Sequence, residues 1–212
     1  MMPARESLLD AAFAALARRP WAAVRMVDVA SAAGVSRQTL YNEFGSKEGL
    51  ARALVRREAD AYLAGVERAL RAPGDGRERL VAVAEWTVSA ARGNAVARAL
   101  LTGCWSASLP SLDLAAVASS SAVPAQRRAD AALPSPGELV AAVRDRAATA
   151  VGAGNGGEAA PVCESAVRLA LSCVVAPPGE GAGGGTVGEL VRGALHRQDA
   201  DREVLSPPPD RF

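Results

Sequence analysis

Along residues 5–19 the apolar positions Leu8, Leu9, Ala12, Phe13 and Leu16 recur at three- and four-residue intervals, the spacing that lines one face of a helix. Helical periodicity continues to Ala72 with breaks only around Pro20, Gly34 and Gly45, and stops at Pro73-Gly74-Asp75-Gly76. Past that break, 77–91 carries a broad stripe of Leu80, Val81, Val83, Ala84, Thr87, Val88 and Ala91, and 95–105 resumes after Gly93-Asn94. Prolines and a triple serine dilute the periodicity from 106 to 136, where a short helix at 112–118 and a following loop are expected. Further helices are predicted over 137–151, 158–175 and 186–198, separated by the glycine-rich stretches 152–157 and 181–185. The residues from 199 onward, with Pro207-Pro208-Pro209, are expected to fray. No stretch alternates in the manner of a strand and no repeat is present, so the expected fold is all-α with about nine helices.

Composition narrows the function more than the fold. Half of the 212 residues are hydrophobic and only 4% aromatic, so the core must be built from Ala, Val and Leu, a helix-favouring set. The net charge of +1 announces no polyanion-binding chain, but it is unevenly spread: 11 basic and 8 acidic residues precede position 72, and 13 and 15 follow. Residues 1–6 hold no apolar run ahead of their charges, as expected without a secretory signal, and no segment reaches the roughly 20 apolar residues of a membrane span. Cys104, Cys163 and Cys173 have no metal-like spacing; the last two, on one helix, would sit about 15 Å apart, too far to bridge. A soluble, cytoplasmic chain is therefore expected. His196 is the single histidine, which leaves zinc chemistry or a Ser–His–Asp triad without support, and neither enzyme activity, metal nor cofactor is expected.

The stretch that carries chemistry is 26–50, MVDVASAAGVSRQTLYNEFGSKEGL. Val27, Val29, Ala30 and Ala33 space a short helix; Gly34 suits a sharp turn; Ser36 is a favoured N-cap for the next helix. In that second helix Leu40 and Phe44 share one face, while Arg37, Gln38, Thr39, Tyr41 and Asn42 make the other. Arg can pair with guanine, Gln or Asn with adenine, and a Thr methyl can touch thymine in the major groove. Helix, glycine turn and helix with such a polar front make a helix-turn-helix. Ser46-Lys47-Glu48-Gly49 opens the next helix, whose free N–H groups and the Lys47 charge suit a phosphate; Lys47 is the only lysine of the chain.

The run from Val29 to Leu50, with Ala30, Ala33-Gly34-Val35-Ser36, Leu40-Tyr41, Phe44-Gly45-Ser46-Lys47-Glu48 and Leu50 at unbroken spacing, resembles the DNA-binding domain of the TetR family of bacterial transcriptional regulators. The likeness covers about residues 5–65. It implies a three-helix DNA-binding head at 1–48, a connecting helix at 49–72, a helical regulatory and dimerisation domain at 73–200 and a tail at 201–212. It also implies a homodimer formed through the helices 158–175 and 186–198, an unknown small-molecule effector and an operator on double-stranded DNA. By position, Ser36, Arg37, Gln38, Thr39, Tyr41 and Asn42 fall on the recognition helix, and Tyr41 and Lys47 on phosphate-holding positions. The chain departs from the family at Arg25, where Thr or Ser commonly caps the second helix; Arg25 can reach a phosphate, and the cap is then expected from Asp28.

Trp86, Cys104 and Trp105 fall where the family keeps its ligand cavity, with ordinary core packing as the other reading; Cys163 and Cys173 read as small buried hydrophobes. The function expected is a ligand-responsive repressor acting as a homodimer on a near-palindromic operator. The rival is a ligand-sequestering or protein-interaction module with a vestigial head, motivated by the near-neutral charge.

Overall fold

The computed structural model of the chain describes residues 3–110, 133–151, 159–177 and 185–205. The helix expected at 112–118, the glycine stretches 152–157 and 181–184 and the last seven residues lie outside them. Among the described residues there are nine α-helices and no strand: α1 Ala4–Leu16, α2 Met26–Ala32, α3 Arg37–Phe44, α4 Lys47–Leu70, α5 Gly76–Gly93, α6 Ala95–Thr102, α7 Pro136–Val151, α8 Ala159–Val175 and α9 Val187–Leu205. A single 3-10 turn, Trp21–Ala23, lies between α1 and α2. The fold is all-helical, as the periodicity predicts. Chain packing divides it into two units, Met1–Ala61 with Ala95–Ser135, and Tyr62–Asn94 with Pro136–Phe212.

In the first unit α1 packs on α2 and α3, and α2 on α3. Their shared core contains Leu8, Leu9 and Ala12 of α1, Trp21 and Val24, Val29 and Ala30 of α2, Leu40 and Phe44 of α3, and Leu50 and Leu54 of α4. Leu8, Ala12, Leu40, Leu50 and Leu54 have no exposed surface. Outside that core, Arg57 of α4 reaches α1 through Asp10 (Nη1 to Oδ1, 2.6 Å) and lies 5.9 Å over the Phe13 ring. The unit also holds α6, with Val96, Ala99, Leu100 and Leu101 buried, and the loop that follows it to Pro110.

In the second unit α5, α8 and α9 pack on one another, and α7 packs on α8 and α5. Leu80 and Val83 of α5, Leu139 and Val143 of α7, Cys163, Val167 and Ala170 of α8, and Val191 and Leu195 of α9 are buried. Asp75 opens α5 with a capping box: its carboxylate accepts from Glu78 N at 2.9 Å, and Glu78 accepts from Asp75 N at 3.1 Å. The buried Tyr62 hydroxyl lies 3.0 Å from that of Thr87, which donates to Val83 O. Burial pushes the Tyr62 phenol up to about 12, so it stays neutral at physiological pH. Trp86 Nε1 donates to Tyr62 O at 3.0 Å, and its indole lies against Gly65, where a Cβ would collide with the ring.

Several helix ends differ from the expected ones, three of them by three residues or more. α1 stops at Leu16, not at 19: Ala17 caps it, and Arg18 N and Arg19 N both turn back onto Ala15 O ahead of Pro20. α6 stops at Thr102, not at 105, where Gly103 N closes on Ala99 O and the chain turns away. α9 runs to Leu205, through residues expected to fray, because no helix breaker intervenes before Pro207.

Candidate nucleic-acid interface

The turn between α2 and α3 is built by backbone alone. Gly34 N bonds Ser31 O and Val35 N bonds Ala30 O, both at 3.1 Å, the paired bonds that end a helix on a residue of positive φ; Gly34 supplies φ +68°. Val35 is half-buried against the core beneath. Ser36 then caps α3, its hydroxyl accepting from Thr39 N at 3.0 Å and lying 2.8 Å from Thr39 Oγ1. Gly45, at φ +71°, ends α3 with its N–H on Tyr41 O at 2.8 Å, and Ser46 caps α4 by accepting from Gly49 N at 3.1 Å. Both ends of this eight-residue helix are thus fixed locally.

Leu40 and Phe44 bury the back of α3, while Ser36, Arg37, Gln38 and Asn42 are exposed and Thr39 and Tyr41 half-buried. The exposed side chains pair along the helix. Gln38 Nε2 donates to Asn42 Oδ1 at 3.0 Å, and the Arg37 guanidinium lies 5.3 Å over the Tyr41 ring. Gln38 keeps one N–H and its carbonyl oxygen, and Asn42 its two N–H donors, for a base edge. Glu43, the one acid of α3, is held by Arg5 of α1: Arg5 Nη1 lies 3.6 Å from Glu43 Oε2, donates to Glu43 O at 3.4 Å, and its guanidinium lies 4.8 Å over the Phe44 ring. Sequence reading missed this latch, because its partners stand 38 positions apart.

Lys47, in the first turn of α4, donates from Nζ to Ala22 O at 3.1 Å and stands 5.6 Å over the Trp21 ring. Beside it, hydrogen bonds from its own backbone N–H and from the Ser46 hydroxyl hold the Glu48 carboxyl below its ordinary range. Arg25 is exposed at the start of α2 and its side chain makes no cap. The cap expected from Asp28 is absent as well: the Asp28 carboxylate accepts from Arg19 at 3.2 Å, and it acts on α2 only as an acid in the first turn.

The three ligand candidates divide between the units. Half-buried Trp86 belongs to the second, under Arg68 at 5.5 Å; exposed Cys104 and half-buried Trp105 belong to the first. The second unit carries a groove of about 490 Å3 lined by Glu67, Leu70, Arg71, Asp145, Arg146 and Thr149 among others; Glu67 holds both Arg71 and Arg146 at 3.4 Å. None of the three candidates lines it. No helix among the described residues is long and apolar enough to cross a membrane.

Residues 8–54, which hold α2, α3 and the start of α4, match the model of the bacterial regulatory proteins, tetR family. Over 68 residues the chain is 50% identical to the HTH-type transcriptional regulator AlkX of Mycobacterium tuberculosis, covering 32% of either protein. Over 81 residues it is 41% identical to the HTH-type transcriptional activator FasR of Mycolicibacterium smegmatis, covering 38% of this chain and 37% of that one. The chain thus spans about a third of the length of the curated relatives it matches. A crystal structure of a TetR-family transcriptional regulator from Streptomyces coelicolor aligns over 96% of this chain and 98% of its own, with a TM-score of 0.52 and 21% identity, a likeness of fold. Residues 8–54, with their helix-turn-helix and the capped, polar-fronted α3, are thus similar to the corresponding part of the bacterial regulatory proteins of the tetR family.

Proposed function

We propose that this chain is a DNA-binding transcriptional regulator, acting as a homodimer and a ligand-responsive repressor on a near-palindromic operator. The observation that carries the reading is α3 itself: a helix capped at both ends, anchored by Leu40 and Phe44, with Arg37, Gln38 and Asn42 outward and its only acid tied to Arg5. Arg37, Gln38, Thr39 and Asn42 face base edges with Ser36 beside them, and Arg25, Tyr41 and Lys47 meet phosphates. One such helix makes few contacts, so two copies about 34 Å apart read two half-sites on one face of the duplex. The dimer forms through α8 and α9, where Leu190 and Val175 stay exposed and Val162 and Leu169 half-buried within one protomer. An effector shifts the operator-bound population only if its affinity differs between the two states.

A gel shift with the DNA upstream of the chain's own gene tests the core of the reading. Specific binding by the wild type and its loss in Arg37→Ala and Tyr41→Ala supports it; unchanged binding in both variants overturns the assignment of α3. The sign of regulation needs a promoter–reporter assay, since one matched relative is named a transcriptional activator. Reporter output that falls when the chain is expressed supports repression, and output that rises overturns it.

A further inference from the structure

We propose that Trp21 is a positioning residue for Lys47, holding the ammonium where it meets a DNA phosphate, and that the loop after α6 holds Trp21 in turn. The proposal rests on the reading of Lys47 as a phosphate contact. A free lysine side chain loses rotamer entropy when it is fixed on a partner. Here much of that ordering precedes any DNA. One of the three ammonium protons is engaged by Ala22 O at 3.1 Å, and Nζ stands 5.6 Å over the face of Trp21, within cation–π range. Two N–H donors remain for a phosphate.

The turn that presents these two partners is closed by its own hydrogen bonds. Ala23 N donates to Pro20 O at 2.9 Å and Val24 N to Trp21 O at 3.0 Å, while the Ala22 carbonyl takes Lys47. Trp21 N goes outside the turn, to Ser108 O at 2.8 Å. Ser108 is itself fixed in a tight bend: Leu109 N donates to Ser106 O at 3.0 Å, the Ser106 and Ser108 hydroxyls lie 2.7 Å apart, and Leu109 is buried. Lys47, the turn at Trp21 and the loop after α6 all lie in the first unit, so the chain of contacts is continuous within it. Burial of the Trp21 ring accounts for its packing; the ammonium over its face and the tether on its N–H are what packing alone does not require.

Two measurements test the clamp. Because Lys47 is the only lysine, protein grown on ε-13C lysine gives one ε-methylene signal, and the ring of Trp21 shifts it upfield of its position in the urea-unfolded chain. Trp21→Leu returns the signal to that position and Trp21→Phe keeps part of the shift. A wild-type signal already at the unfolded position, or one that Trp21→Leu leaves in place, overturns the clamp without any DNA. The second measurement is duplex affinity across a salt series. Lys47→Met lowers the slope of log affinity against log salt by about one per chain. Trp21→Leu lowers it in the same way, Trp21→Phe preserves it, and the double variant binds no more weakly than Lys47→Met. Weaker binding by Trp21→Leu with the slope unchanged, or losses that add in the double variant, makes Trp21 a plain core residue and overturns the proposal. An unchanged slope in Lys47→Met overturns the phosphate role itself, and is told apart because the methylene signal still moves in Trp21→Leu.

Discussion

Gln38 and Leu40 stand two positions apart on α3 and face opposite environments. Leu40 has no exposed surface, so Leu40→Ala leaves a cavity under the helix and costs about 2–5 kcal/mol, seen as a lower urea midpoint of the first unit. Gln38 is exposed and donates to Asn42, so Gln38→Ala changes stability by less than about 0.5 kcal/mol. Its expected effect is on specificity, a loss of about 1–3 kcal/mol of discrimination at one base pair, measured with a panel of operator variants. Glu48 shows the charge argument in the opposite sense. Its carboxyl is held below the ordinary range, so it stays negative beside Lys47 at neutral pH. Its stabilising contribution is present above the ordinary carboxylate pKa and is lost as pH falls through the lowered value. Glu48→Gln is expected to tighten binding to any duplex about two- to three-fold at low salt, an effect that added salt removes. Gln38 and Leu40 were legible in the sequence because helical spacing alone sorts them onto opposite faces. Arg5 was not, since nothing local to it names Glu43 or Phe44 as its partners.

Apart from the far end of α9, the described helices begin and end within a few residues of where short-range chemistry puts them. Ser36, Gly34 and Gly45 were readable as cap and turns because each acts on backbone within five residues of itself. Gly45→Ala forces a Cβ into left-handed backbone and costs about 1–2 kcal/mol; α3 then frays at its end, and circular dichroism should report a lower melting temperature together with weaker DNA binding. Where the expected ends were wrong, a longer-range or subtler signal had won. α1 closes early in a turn of Arg18 and Arg19 onto Ala15 O ahead of Pro20, and the absence of a breaker lets α9 continue to Leu205. The faces of α8 and α9 left exposed by one protomer give the proposed dimer its test. Leu190→Glu is expected to turn a dimeric light-scattering mass into a monomeric one and to weaken operator binding; a dimer that survives it would place the contact elsewhere.

Across the full chain, closure of the second unit is what separates the three cysteines. Cys163 and Cys173 are buried, and burial pushes the Cys163 thiol up to about 11, while Cys104 is exposed. A maleimide should therefore modify one thiol in the native protein and three after unfolding in urea, counted by mass spectrometry. The all-helical class, the helix α3 and its polar front followed from the amino-acid sequence alone, because helix periodicity, capping and turn chemistry act over one to five residues and leave their signature in order along the chain. The Lys47 clamp on Ala22 and Trp21, the tether to Ser108, the Arg5 latch and the diversion of Asp28 from its expected cap to Arg19 were decided only by folding. Those contacts join side chains and carbonyls that many residues separate, and which of several equally capable partners a long basic side chain meets is fixed only once the helices have packed.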